Sequence, residues 1–223
     1  MTTSTLIKFL ILIFIISSSC SKNETLEITE PEIENITIPV NIYKYNFNNA
    51  TALSSSLSLN EMEIYFERIN EIWEQANIKF IINSFETIEV DDEIFLTNDY
   101  LDFSNRDFRI ELENLSETHI NINSMTNQGI WTLVLIKKFP HPAGGVWSKN
   151  TEIVFFAETK NNERVVENIL AHEFGHSLSL THLNPNQYPT NLMKAGDGNP
   201  LTAELLLDYQ INSARQRALL FLN

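Results

Sequence analysis

Three of the chain's five histidines lie between His172 and His182, and their spacing restricts the fold more than any other feature. The stretch from Ala171 to His182 reads AHEFGHSLSLTH. His172 and His176 are four residues apart. On an α-helix, four steps of about 100° bring them to within roughly 40° of one face, so their imidazoles can converge on one ion. Glu173, next to His172, can reach a ligand on that ion without binding the ion itself. His182 lies six residues past His176, and a continuing helix would turn it about 240° away. For His182 to join the pair, the helix must stop and the chain must turn. Gly175, in the helix interior, costs roughly 1 kcal/mol relative to Ala and suggests close packing.

The segments around this stretch alternate between strand and helix patterns. Residues 40–47, VNIYKYNF, are rich in β-formers and suit a first strand. Residues 60–76 place Met62, Tyr65, Phe66, Ile69, Ile72 and Trp73 at helical spacing, with Asn60 as the expected cap. Strands are expected at 78–85, 131–137 (the central one), 145–148 and 152–157. The metal helix should span 162–178, capped by Asn161 or Asn162 with Glu163 in its first turn. A last helix is expected over 202–221, capped by Thr202 with Glu204 in its first turn. Residues 90–128 have no steady period and read as an insertion, with a short helix at 105–115.

The chain has 223 residues, is 43% hydrophobic and contains 14 Phe, enough for one domain with a core. Its formal charge of −14 repels phosphate backbones, which argues against nucleic-acid binding. Its single cysteine, Cys20, follows Lys8, an apolar run from Phe9 to Ile16, and three serines. Eight apolar residues fall short of the roughly 20 that span a bilayer, so residues 1–19 read as a signal peptide. Small residues directly before Cys20 resemble a bacterial lipobox, with Ser17 where Leu is usual. That resemblance implies a lipid anchor on Cys20 and a place in the bacterial cell envelope, on its periplasmic or outer face; ordinary secretion with a free thiol and an uncleaved anchor are the alternatives. The polar, acidic residues 20–39 then read as a tether, and 40–223 as one domain, expected to be monomeric.

His172-Glu173-x-x-His176 is the HExxH arrangement of zinc hydrolases. Extended to Ser179 and His182, it resembles the metzincin zinc-protease signature HExxHxxGxxH. Met193, in Thr190-Asn191-Leu192-Met193, sits where that family has its Met-turn. The resemblance implies an α+β catalytic domain: a mixed twisted sheet with an early helix, the metal-binding helix and a C-terminal helix. It implies one catalytic Zn2+ on His172, His176 and His182, Glu173 as general base, and a polypeptide substrate. It also implies that an edge strand, here Gly144-Gly145-Val146-Trp147, binds the peptide as an added antiparallel strand. Gly144-Gly145 also reads as a simple turn, and Trp147 as either core or cleft border.

Ser179 departs from the family's Gly. A position needing φ > 0 costs Ser about 1–2 kcal/mol, which metal binding, on the order of 10 kcal/mol, can offset. Asp197 and Glu204 are alternative carboxylate ligands, more simply a turn residue and a first-turn acid. His119 and His141 read as loop or surface residues. Ala195 stands two positions after Met193, so no tyrosine ligand is expected there. Two further readings stand beside the endopeptidase: an inactive binding lipoprotein of the same fold, motivated by Ser179, and a structural zinc protein. Closed structural sites usually have Cys among four protein ligands, and the mature chain has no Cys but its N-terminus.

Overall fold

The computed structural model describes residues 34–48, 50–91, 104–120, 128–140, 143–158, 166–195 and 203–222. The signal peptide, Cys20, most of the tether, His141, the caps Asn161, Asn162 and Thr202, Glu163 and Asp197 lie outside them.

The first strand, β1 (Ile36–Phe47), starts within the stretch read as tether. Ile36 and Ile38 alternate with polar neighbours and pair with Ile78 and Phe80 of β2 (Ile78–Val90). That period of two makes them strand residues in spite of Pro39. Pro39 lies just before Val40–Lys44, the part of β1 that also pairs with β3 (Trp131–Ile136), so its missing N–H falls outside the doubly paired stretch.

Five strands form one sheet in the order β2-β1-β3-β5-β4. β1, β2, β3 and β5 (Ile153–Ala157) run parallel, and β4 (Gly145–Ser148) runs antiparallel to β5 at the edge. β3 is the central strand. Every residue of β3 and β5 is buried, because both faces of the sheet are covered.

Helix α1 (Leu59–Trp73) is capped by Ser58 rather than Asn60. The Ser58 hydroxyl accepts from the Glu61 N–H, and the Glu61 carboxylate accepts from the Ser58 N–H at 2.8 Å, a reciprocal capping box. The cap lies two residues early because Ser58 has Glu61 at the third helical position. Met62, Phe66, Ile69, Ile72 and Trp73 form the buried face. Within the expected insertion, α2 (Asn105–His119) is a full helix capped by Ser104. It covers one face of the sheet: Phe108, Leu112 and Leu115 pack with Tyr45, Val134 and Phe155.

On the other face, α1, α3 (Val166–Ser177) and α4 (Asp208–Leu222) share a core with Val40, Leu133 and Phe156. α4 starts six residues later than expected. Residues 203–207 are held extended instead, with Leu192 donating to the Leu205 carbonyl at 2.8 Å. The Leu207 N–H donates to Gln210 Oε1 at 3.0 Å at the start of the helix. The domain is α+β, with a mixed sheet, an early helix, the histidine helix and a C-terminal helix, as expected.

Candidate metal centre

Phe174 fixes the histidine helix to the sheet. Its ring stacks on Phe80 at 4.4 Å and meets Phe66 and Trp131 edge-on at 6.0 and 5.9 Å. The Trp73 indole N–H donates to the Ala171 carbonyl, tying α1 to the same turn. With Phe174 and Ala171 facing the core, His172 and His176 face outward on the helix's opposite side.

The helix ends as the third histidine requires. Ser179 has φ 66°, in the left-handed region. Its N–H donates to the His176 carbonyl, and the Leu180 N–H donates to the Gly175 carbonyl, both at 2.9 Å. This pair of bonds is a Schellman turn, and Leu180 packs into the Phe174 core as such turns favour. The reversal brings His182 back over the helix. Its Nε2 lies 3.1 Å from His172 Nε2 and 3.0 Å from His176 Nε2.

The protonation pattern follows from the other ring nitrogens. His172 Nδ1 lies 2.7 Å from the Leu192 carbonyl, and His176 Nδ1 lies 2.9 Å from the Leu180 carbonyl. A carbonyl only accepts, so each Nδ1 carries the proton and each Nε2 presents a lone pair. His182 can donate to only one of them. Two fixed lone pairs and a third imidazole in this spacing could hold a cation. Nitrogens about 2.0–2.1 Å from a tetrahedral ion sit roughly 3.3 Å apart, close to the spacing found. Burial holds the His176 pKa below its ordinary value; the Leu180 carbonyl opposes this and His182 adds to it. Burial also lowers His182. Both rings therefore remain neutral, and able to ligate, to lower pH than a free imidazole.

The segment after His182 supports the floor of the site. The Leu183 N–H donates to the Met193 carbonyl at 2.8 Å, and the Met193 N–H to Asn191 Oδ1 at 2.9 Å. Buried Asn191 is in turn held by Gln210 of α4 at 2.7 Å. Met193 then passes directly under α3. A Cβ on Gly175 would lie 2.3 Å from Met193 Sδ, so any larger residue at that position must displace the methionine side chain. Leu192 supplies the carbonyl for His172.

Glu173 is buried beside the edge strand. A Cβ on Gly145 would lie 2.6 Å from Glu173 Cγ and 3.2 Å from its Oε1. A Cβ on Gly144 would meet Ile169 Cδ1 at 2.6 Å. Gly144 and Gly145 therefore set β4 against the histidine helix, in addition to forming the bend before it. Val146 points to the opposite core, while Trp147 packs on the α3 side and borders a cleft. This cleft, of about 480 Å3, lies beside His176 and His182 and is also lined by Lys149, Ser179, Leu180 and Thr181.

The other candidate ligands lie elsewhere. Glu204 precedes α4 instead of joining its first turn, and it pairs with Arg68 and accepts from Asn168. His119 is exposed at the end of α2. Among the described residues, one group could hold a metal ion, and it consists of His172, His176 and His182. Sequence reasoning missed the carbonyls of Leu180 and Leu192, the Asn191–Gln210 brace and the place of Lys149 and Thr181 beside the cleft. Leu180 had a readable signal, an apolar residue directly after the position needing φ > 0.

Fold and site together define an α+β domain with a three-histidine group able to hold a metal ion. No protein-family model and no curated protein matches the chain. Among solved structures it resembles metalloproteinase-II from Bacteroides fragilis, at 10% identity and TM-score 0.46, over 84% of this chain and 55% of that one. It also resembles a chain in a chaperone–substrate complex, at 14% identity and TM-score 0.45, over 84% of this chain and 35% of that one. The chain thus spans about half and about a third of the lengths of these neighbours.

Proposed function

We propose that this protein is a zinc-dependent endopeptidase of the metzincin type. The supporting observation is the convergence of three imidazoles, two with Nε2 lone pairs fixed by carbonyls, beside a buried glutamate under an edge strand. An all-imidazole donor set with no thiolate suits zinc, and three protein ligands leave a position for water or substrate. When bound, the ion would lower the pKa of water and polarise a carbonyl. Glu173 takes the proton from the attacking water and returns it to the leaving amine nitrogen. Gly144–Trp147 offer an edge to which an extended peptide adds as an antiparallel strand. The low, burial-depressed pKa values of His176 and His182 keep their lone pairs free for the ion.

The leader and Cys20 extend the proposal to a lipid-anchored protein of the bacterial cell envelope that acts on polypeptides. Among the described residues no helix is long and apolar enough to cross a membrane. Replacing Cys20 by Ser is expected to abolish labelling with radioactive palmitate and to release the protein from the membrane fraction. Labelling that persists in the variant would remove the anchor from the proposal. The enzymatic part is tested by incubating the zinc-loaded protein and its Glu173→Ala form with a mixed peptide library. Mass spectrometry should find cuts made by the parent alone.

A further inference from the structure

The cleft beside the histidines carries chemistry that the hydrolytic machinery does not use. Its walls bring together exposed Lys149 and the hydroxyl-bearing residues Ser179 and Thr181, with Trp147 as the apolar side. Lys149 has no ion-pair partner among the described residues, and it is the one lysine or arginine lining the cleft of a chain with a net charge of −14. Ser179 is exposed and sits at φ 66°, a conformation that glycine adopts without strain. A hydroxyl-bearing residue thus stands at a backbone position that favours glycine, and it lines the same cleft as Lys149. Thr181 is exposed two residues further on, so both polar residues project from the turn that carries His182.

We infer that Lys149, Ser179 and Thr181 form a subsite for an acidic side chain of the substrate. The inference rests on the endopeptidase reading and deepens it. An ammonium and two hydroxyl donors match a carboxylate, which only accepts. The edge strand fixes which part of the peptide meets them. Gly145 lies at Glu173, where the scissile carbonyl must come, and β4 then runs through Trp147 toward Lys149. A peptide added antiparallel passes Lys149 with residues on the N-terminal side of the cut. At about 3.4 Å per residue, with the reach of a lysine side chain, the acidic residue stands roughly two to four positions before the cut. The preferred substrate is therefore a peptide with Glu or Asp upstream of the bond that breaks.

The test uses the zinc-loaded full protein and peptide pairs that differ only by Glu or Gln at these upstream positions. The parent should cleave the Glu peptide with a kcat/KM roughly tenfold above its Gln partner. That ratio should fall to about one in Lys149→Gln and favour a Lys peptide in Lys149→Glu. Ser179→Gly should lower the ratio about two- to threefold. Equal rates for Glu and Gln in the parent, or a preference untouched by Lys149→Glu, would overturn the subsite. Absence of any Glu173-dependent cleavage would count against the endopeptidase reading alone. The subsite is then judged by calorimetric titration of the same peptides into zinc-loaded Glu173→Gln protein. Tighter binding of the Glu peptide, lost in Lys149→Glu, supports it, and equal affinities overturn it.

Discussion

At the scale of single residues, the site depends on which nitrogen or oxygen carries a proton. Glu173→Gln keeps the shape of the side chain but cannot take a proton. It is expected to lower kcat by about 10²–10⁴-fold while zinc content, measured by atomic emission, stays near one ion per chain. The histidines set the response to acid. The folded-state pKa values of His176 and His182 lie below the ordinary 6.5. The unfolded chain therefore binds more protons between those depressed values and about 6.5, so metal-free stability should decline as pH falls through that window. Retained zinc, followed by equilibrium dialysis, should fall as pH drops toward the depressed values, where protons compete for the lone pairs. Ser179 offers a third reading at this scale. Ser179→Gly removes the strain of φ 66° but adds freedom to the unfolded chain. A net gain of up to about 1 kcal/mol in denaturant unfolding is expected. His172, His176 and Glu173 were legible as one motif because local helix geometry alone brings them together. The acceptors on Leu180 and Leu192 were not, because a backbone carbonyl leaves no mark on residue type.

At the scale of elements, the two glycines that touch the site act through close approach of neighbouring elements. Gly175→Ala drives a methyl into Met193 Sδ, displacing the turn that supplies Leu192's carbonyl to His172. A loss of about 1–3 kcal/mol in unfolding free energy is expected, together with weaker zinc retention. Gly145→Ala pushes against Glu173 instead. It should reduce turnover far more than zinc content, since the atoms nearest to the added methyl all belong to Glu173. Equal loss of both would place Gly145 outside this role. The helix patterns of α1 and α3 and the apolar runs of β3 and β5 were legible from period and composition. The start of α4 was not. Thr202 and Glu204 mimic a cap, but backbone bonds from Thr190 and Leu192 hold 203–207 extended. Those partners are distant in sequence, so no local pattern reports them. The length of α2 was hidden by the polar residues on its exposed side, while Phe108, Leu112 and Leu115 kept the helical spacing.

At the scale of the whole molecule, a five-stranded sheet with helices on both faces carries, among the described residues, one metal-competent group, at the end of its edge-side helix and beside an open cleft. Phe174 connects these levels: the residue between Glu173 and Gly175 is the anchor that packs α3 on β2, β3 and α1. The three histidines, distant from most of the chain in sequence, are therefore held by the central core. The measurement that tests the central claim most directly is peptide cleavage by the zinc-loaded protein beside Glu173→Gln, with bound zinc counted in the same samples. The account predicts one zinc per chain in both and cuts from the parent alone. A folded parent that binds no zinc, or cuts that persist in Glu173→Gln, would contradict it.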